Sequence, residues 1–176
     1  HAQAQPWMYE AMGIAMQAKG APDAEIERAL MSGVDLSQSV ADVMFVALYM
    51  SRIGLDQRAL KLFREVSEAH PQRPEPYMQG LQIAERLNDL EAIKWSTIGI
   101  LKQPWSADQR MIENKAKGVA LVTLRNLNKA GKTKEAKAYK AQLDQALVRD
   151  CVVKVTWTGD ADVDVLVEEP TGTVCS

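Results

Sequence analysis

From Pro6 to about Val148, apolar residues recur at three- and four-residue intervals, the period of helices that each bury one face. The pattern breaks at Gly20-Ala21-Pro22, Gly54, His70-Pro71, Asn88-Asp89, Pro104 and Gly131, where turn-forming or helix-ending residues stand. The spacing predicts helices over 6–19, 22–33, 38–53, 56–69, 75–87, 89–102, 107–129 and 133–148. Pro22 stands in the first turn of its helix, where a missing N–H costs nothing. Asp56, Asp89 and Ser106 or Asp108 are candidate caps or first-turn acids. Connections this short make consecutive helices antiparallel neighbours.

After Arg149-Asp150 the period changes. Cys151-Val152-Val153-Lys154-Val155-Thr156-Trp157 is rich in β-branched residues, and 162–167 alternates apart from Leu166. Two strands are predicted there, with turns at 158–161 and 170–172 and a third short strand over 173–175. A stub of 26 residues cannot bury a core alone. Either it leans on the last helices or, the reading preferred here, it opens a domain whose remainder lies beyond Ser176. The chain therefore divides into a helical domain over 1–148 and the first strands of a β domain over 149–176.

Composition supports a mostly α class, with 47% hydrophobic residues, only 6% aromatics, and abundant Ala, Leu and Met. The formal charge of −2 excludes a global field that would draw the molecule to nucleic acid or an anionic membrane. Taken by segment the charge is uneven. Residues 1–106 carry 10 basic and 13 acidic side chains, 107–150 carry 10 and 5, and 151–176 carry 1 and 5. No apolar run approaches the roughly 20 residues a bilayer crossing needs, so no membrane insertion is expected. The chain opens on His1 with no signal-peptide pattern, as an excised or processed segment would.

A spacing of 34 residues aligns Gly20 with Gly54 and Arg52 with Arg86. Between Val40 and Pro71 stand a small residue at Ala47, Gly54 in the turn, Ala59, Phe63 four residues later, and a closing Pro71. This unit resembles a tetratricopeptide repeat. Tyr77, Gly80-Leu81 and Ala92 follow the same pattern with a turn one residue short, Tyr9, Gly13 and Gly20 keep part of it, and Gly131, Ala136 and Tyr139 keep its second helix behind a first helix lengthened by about two turns. The resemblance covers about residues 6–148 and implies a right-handed α-solenoid of about four antiparallel helix pairs, in which Ala47 and Ala59 allow close helix approach and Phe63 is buried near Tyr77 or Leu81.

In that family the first helix of each pair lines a concave groove that takes a peptide or protein segment. The matching positions here are Trp7, Glu10, Ile14 and Gln17, then Met44, Leu48 and Arg52, then Met78, Gln82 and Arg86. Arg52 and Arg86 are expected side by side, offering guanidinium forks to a carboxylate, unless each pairs with a neighbouring acid such as Asp56 or Glu85. The Lys and Asn pattern of chaperone-tail carboxylate clamps is missing.

The tail from Trp157 to Gly172 resembles the opening of an uncharacterised bacterial β-sandwich family similar to pre-peptidase C-terminal domains. Asp160, Asp162 and Asp164 form a candidate calcium site at a sandwich edge, although Val165 and Thr171 exclude an EF-hand. Cys151 and Cys175 bracket the tail, as a disulfide closing a small sheet or as two free thiols; a disulfide would place the chain in an extracytoplasmic compartment.

Catalytic chemistry lacks parts. The only histidines are His1 and His70, and no metalloprotease, nucleophile-elbow or dinucleotide motif occurs. Gly131-Lys132-Thr133 ends like a P-loop, but Asn126 stands where the opening glycine belongs, so it reads as a helix–helix turn. Lys129, Lys132, Lys134, Lys137 and Lys140 are spread around a helix with only Tyr139 as a stacking ring, which reads as a solvated surface rather than a nucleic-acid patch. The expectation is a non-enzymatic binding scaffold without a cofactor. Its alternative is a structural spacer presenting a calcium-dependent adhesive or carbohydrate-binding β domain.

Overall fold

The computed structural model describes residues 6–105, 109–148, 156, 158–160, 167–168 and 174–175. Its helices are α1 (Pro6–Ala18), α2 (Asp23–Asp35), α3 (Val40–Arg52), α4 (Asp56–Ala69), α5 (Glu75–Leu87), α6 (Leu90–Lys102), α7 (Arg110–Lys129) and α8 (Thr133–Ala146). All eight expected helices form, and the protein is mostly α. Val167–Glu168 and Val174–Cys175 pair antiparallel, with Val167 opposite Cys175.

Helix starts follow local chemistry. The Ser39 side chain accepts from the Asp42 N–H at 3.2 Å and caps α3, and Asp89 accepts from the Ala92 N–H at 3.0 Å and caps α6. Asp56 sits in the first turn of α4, behind an N-cap Leu55 that makes no side-chain cap bond. Ser106 and Asp108 lie outside the described residues.

Within each pair the first helix ends in the same turn. Gly20, Gly54 and Gly131 have φ of 71°, 89° and 73°, and Asn88 takes the same left-handed conformation at 52°. Each of the four residues donates to the carbonyl three back, and the residue after it to the carbonyl five back: Ala21 to Met16, Leu55 to Met50, Asp89 to Ala84 and Lys132 to Leu127. This is the Schellman closure, which a left-handed residue makes possible. Asn tolerates that conformation better than other non-glycine residues. The third pair therefore keeps the period, since 20, 54 and 88 are 34 apart.

Each helix packs on the next, α1 also meets α3, α3 also meets α5, and α6 also meets α8, a repeat-like arrangement of helix pairs. Two groups of buried apolar side chains result. One centres on Leu30, Met50, Phe63 and Ile83, the other on Leu81, Ile100, Leu127 and Tyr139, and Trp95 and Val119 pack against both. Phe63 is fully buried as expected, but it lies in the first group with Ile83 and Ala84, whereas Tyr77 and Leu81 belong to the second.

Aromatic rings seated on glycines bring helices together. A Cβ on Gly33 would stand 2.9 Å from the Tyr9 ring, so α1 and α2 approach closely there. The contact is reciprocal between α5 and α6, where Tyr77 covers Gly99 and Trp95 covers Gly80 so tightly that a Cβ at either glycine would overlap the ring. The two rings meet at 5.3 Å with a 45° tilt, and the Arg64 guanidinium of α4 lies 5.3 Å from the Trp95 ring.

Polar contacts then tie α6 to its neighbours. Tyr139 Oη and Thr97 Oγ1, both buried, share a hydrogen bond of 2.6 Å between α8 and α6. Lys94 reaches Glu91 at 2.9 Å and Glu135 of α8 at 2.6 Å. Burial pushes the Lys94 ammonium down, but hydrogen bonds to Glu135 and Glu91 outweigh it and raise its pKa; the bond from Lys94 lowers that of Glu135.

Three measurements check this packing. Phe63→Ala is expected to lower unfolding free energy in urea by about 3–5 kcal/mol, the cost of deleting a buried aromatic. Gly99→Ala forces a methyl into the Tyr77 ring and is expected to cost at least about 1–3 kcal/mol, although alanine is the better helix former. A folded-state pKa held below the ordinary glutamate value of 4.5 gives Glu135 a contribution present above that value and lost as pH falls through the lowered one. Wild type should therefore lose melting temperature faster than Glu135→Gln on acidification below about pH 5, and parallel acid limbs would refute the coupling.

Candidate functional site

The period that places α1, α3 and α5 side by side fails at the fourth pair. Gly131 follows Asn88 by 43 residues rather than 34, because α7 has 20 residues where the other first helices have 13. α7 rests on α6 and α8 and makes little direct contact with α5. A groove therefore separates α5 from α7, with α6 as its floor.

At one end the groove is a cleft of about 230 Å³ lined by Met78, Leu81 and Gln82 of α5, Ile100 of α6, and Met111, Ile112 and Lys115 of α7. Further along, Glu85, Asn88, Ile93, Gly118, Val119, Val122 and Asn126 border about 470 Å³, and the far end closes around Leu90, Leu127 and Lys132. Its walls are largely apolar. Met111 is 81% exposed and Val122 53%, a large apolar exposure for a surface helix. Lys115 Nζ reaches Glu85 at 3.0 Å across the gap, the ion pair that spans it. The Gln82, Asn88 and Asn126 side chains are exposed and carry no hydrogen bond or ion pair among the described residues. Amides both donate and accept, so these three can meet the main chain of an extended segment. Gly118 leaves the middle of the groove open, since a Cβ there would find no atom within 4 Å.

Of the residues expected to line a groove, Met78 and Gln82 do so. Met44 does not: it is only 8% exposed and belongs to the core, because α3 has neighbours on both sides. Leu48 is half-buried and packs against the same core. Trp7, Ile14 and Gln17 are exposed on α1, and Glu10 is half-buried.

Arg86 takes the competing reading. Its Nε donates to Asp56 Oδ2 at 3.0 Å and its Nη2 to Asp56 Oδ1 at 2.5 Å and to Ser51 Oγ at 2.9 Å. The guanidinium thus ties α5 to the turn between α3 and α4, and its fork is used within the chain rather than offered to a ligand. Arg52, its equivalent one repeat earlier, is exposed and has no hydrogen bond or ion pair among the described residues. The reason is sequence: the position equivalent to Asp56, 34 residues back, is Pro22. Arg86 also reaches Ser51, the residue before Arg52.

The α7 side chains that complete the groove were not singled out by register, because the lengthened helix shifts them. Their signal was that Met111 and Val122 lie off the buried stripe of Ala116, Ala120, Thr123 and Leu127. In the tail, Asp160 is exposed in a bend, whereas Asp162, Asp164 and Cys151 lie outside the described residues. Cys175 is placed only by its backbone pairing with Val167. Gly131 forms the expected helix–helix turn. Among the described residues, no group of three His, Cys, Asp or Glu side chains could hold a metal ion, and no helix is long and apolar enough to cross a membrane.

No family model, no curated protein and no solved structure matches the chain.

Proposed function

We propose that the chain is a non-enzymatic protein-interaction scaffold, a tetratricopeptide-like α-solenoid of four helix pairs that holds a peptide or protein segment in the groove between α5 and α7. The groove carries the reading: apolar walls from Met78, Leu81, Met111 and Val122 take apolar side chains, while Gln82, Asn88 and Asn126 meet a backbone. Methionines suit this task because their unbranched side chains adapt to differing partners. The identical turns at Gly20, Gly54 and Asn88, 34 residues apart, support the repeat assignment. The tail is read as the opening of a β-sandwich-like domain, in keeping with the antiparallel pairing of 167–168 with 174–175.

Gly118 makes the test sharp. Its position is open, so a side chain there fills the groove without displacing anything. Gly118→Leu also improves helix propensity by somewhat under about 1 kcal/mol, so its melting temperature should equal or exceed that of wild type. Peptides selected from a displayed random library on the immobilised chain should bind Gly118→Leu at least tenfold more weakly by titration calorimetry. Failure to select any peptide, or selected peptides that bind both proteins equally, would remove the groove from the account.

A further inference from the structure

The groove between α5 and α7 changes character along its length. At one end its walls are Met78, Leu81, Met111 and Ile112. At about 100° per residue, Met111, Gly118, Val122 and Lys129 fall within roughly 40° of one another around α7, so one row of side chains runs from an apolar end to a basic one. Arg125 stands about 20° outside Gly118 on the same side of the helix. Lys132 lines the far end. The row is long: Lys129 lies on the order of 27 Å from Met111 at about 1.5 Å per residue.

The basic end is not neutralised from within the chain. From Asn114 to Lys134 the sequence has no Asp or Glu. Acids that border the groove from other elements are already engaged: Glu85 holds Lys115 at 3.0 Å, Asp89 caps α6, and Glu91 and Glu135 hold Lys94 at 2.9 and 2.6 Å. Lys132 meets Glu135 only at 3.9 Å. Arg125 and Lys129 are exposed and carry no hydrogen bond or ion pair among the described residues. A cation in the last turn of α7 answers the helix dipole, which accounts for Lys129. That effect fades beyond the last turn, so it leaves Arg125 without a role inside the chain.

Taking the groove as the peptide site, as proposed above, we infer that the segment it holds is acidic at one end. A large apolar side chain enters the cleft between Met78 and Met111. Carboxylates about eight residues away, at roughly 3.3 Å per residue of extended chain, meet Arg125, Lys129 and Lys132. The guanidinium can pair a carboxylate through two parallel N–H bonds, while the lysines act as point charges. The charge gradient thereby fixes the direction in which the segment lies, which apolar walls alone would leave open. Among the described residues that line the groove none is aromatic, so a nucleic-acid base finds no ring to stack on, and the partner is a protein segment.

Displayed random peptides long enough to span both ends, selected on the immobilised full chain in about 0.1 M salt, where charges still interact over about 10 Å, test this. Selected sequences should be enriched in Asp and Glu about eight positions from a large apolar residue. Arg125→Glu combined with Lys129→Glu reverses the charge at exposed positions, keeps the helical circular dichroism, and should weaken the selected peptides at least tenfold by titration calorimetry. Lys134→Glu combined with Lys137→Glu makes the same charge change on the exposed face of α8 and should leave their affinity within about twofold. Peptides that Gly118→Leu blocks but that show no acidic preference, or that bind the reversed variant as tightly as wild type, overturn this inference and leave the groove standing. Peptides that Gly118→Leu does not block, or none at all, remove both. A labelled single-stranded DNA that binds more tightly than any selected peptide, and is lost on reversal at Arg125 and Lys129, also overturns it by giving the basic end to nucleic acid.

Discussion

The close approach of α5 and α6 governs the arrangement around it. Tyr77 sits on Gly99 and Trp95 on Gly80, each ring lying where a side chain would otherwise stand. This double seating sets both the spacing and the register of the pair, because sliding one helix along the other would drive a ring into a neighbouring residue. Trp95 then extends the contact in both directions. Arg64 stacks on it from α4, and the ring packs against both groups of buried side chains. With Val119 of α7, Trp95 is what the two cores have in common.

From α6 the constraint passes to the last pair. Thr97 holds Tyr139 and Lys94 holds Glu135, so α8 is anchored to α6 by one buried hydrogen bond and one largely buried ammonium. Truncating either partner would leave a polar group without its bond in a place with little water. α7 is thereby positioned through α6 and α8 rather than through α5. The groove is the space left when an elongated helix is docked from one side only. Met44 of α3, by contrast, is buried because α3 has helices on both sides.

Electrostatics divide in the same way. Arg86 with Asp56, Arg58 with Glu27 at 2.6 Å, and Lys94 with Glu135 each link helices of different pairs, and in each one partner or both are substantially shielded from water. The excess positive charge of 107–150 lies instead on the exposed faces of α7 and α8, where Lys134 and Lys137 stand in solvent. Such charge keeps that end soluble and polar. The first pair lacks it, and its outer face is left apolar.

What the sequence by itself determined is everything that depends on neighbours along the chain. Helix length follows the apolar period, and the turns follow Gly20, Gly54 and Gly131, because only residues that tolerate positive φ can close a Schellman turn. The shortened third turn was legible only as an irregularity, and the structure resolves it: Asn88 stands in the glycine's place. The repeat register named Met78 and Gln82 as groove residues, and both line the cleft between α5 and α7; it left open whether Arg86 would face a ligand or an acid. Only the tertiary structure decided that Asp56, 30 residues away, takes the Arg86 guanidinium, that Met44 is core, and that α7 supplies the second wall. Each of those outcomes depends on where a third helix lies. A 34-residue period encodes that position while it lasts, and it ends at Asn88, before α7 begins.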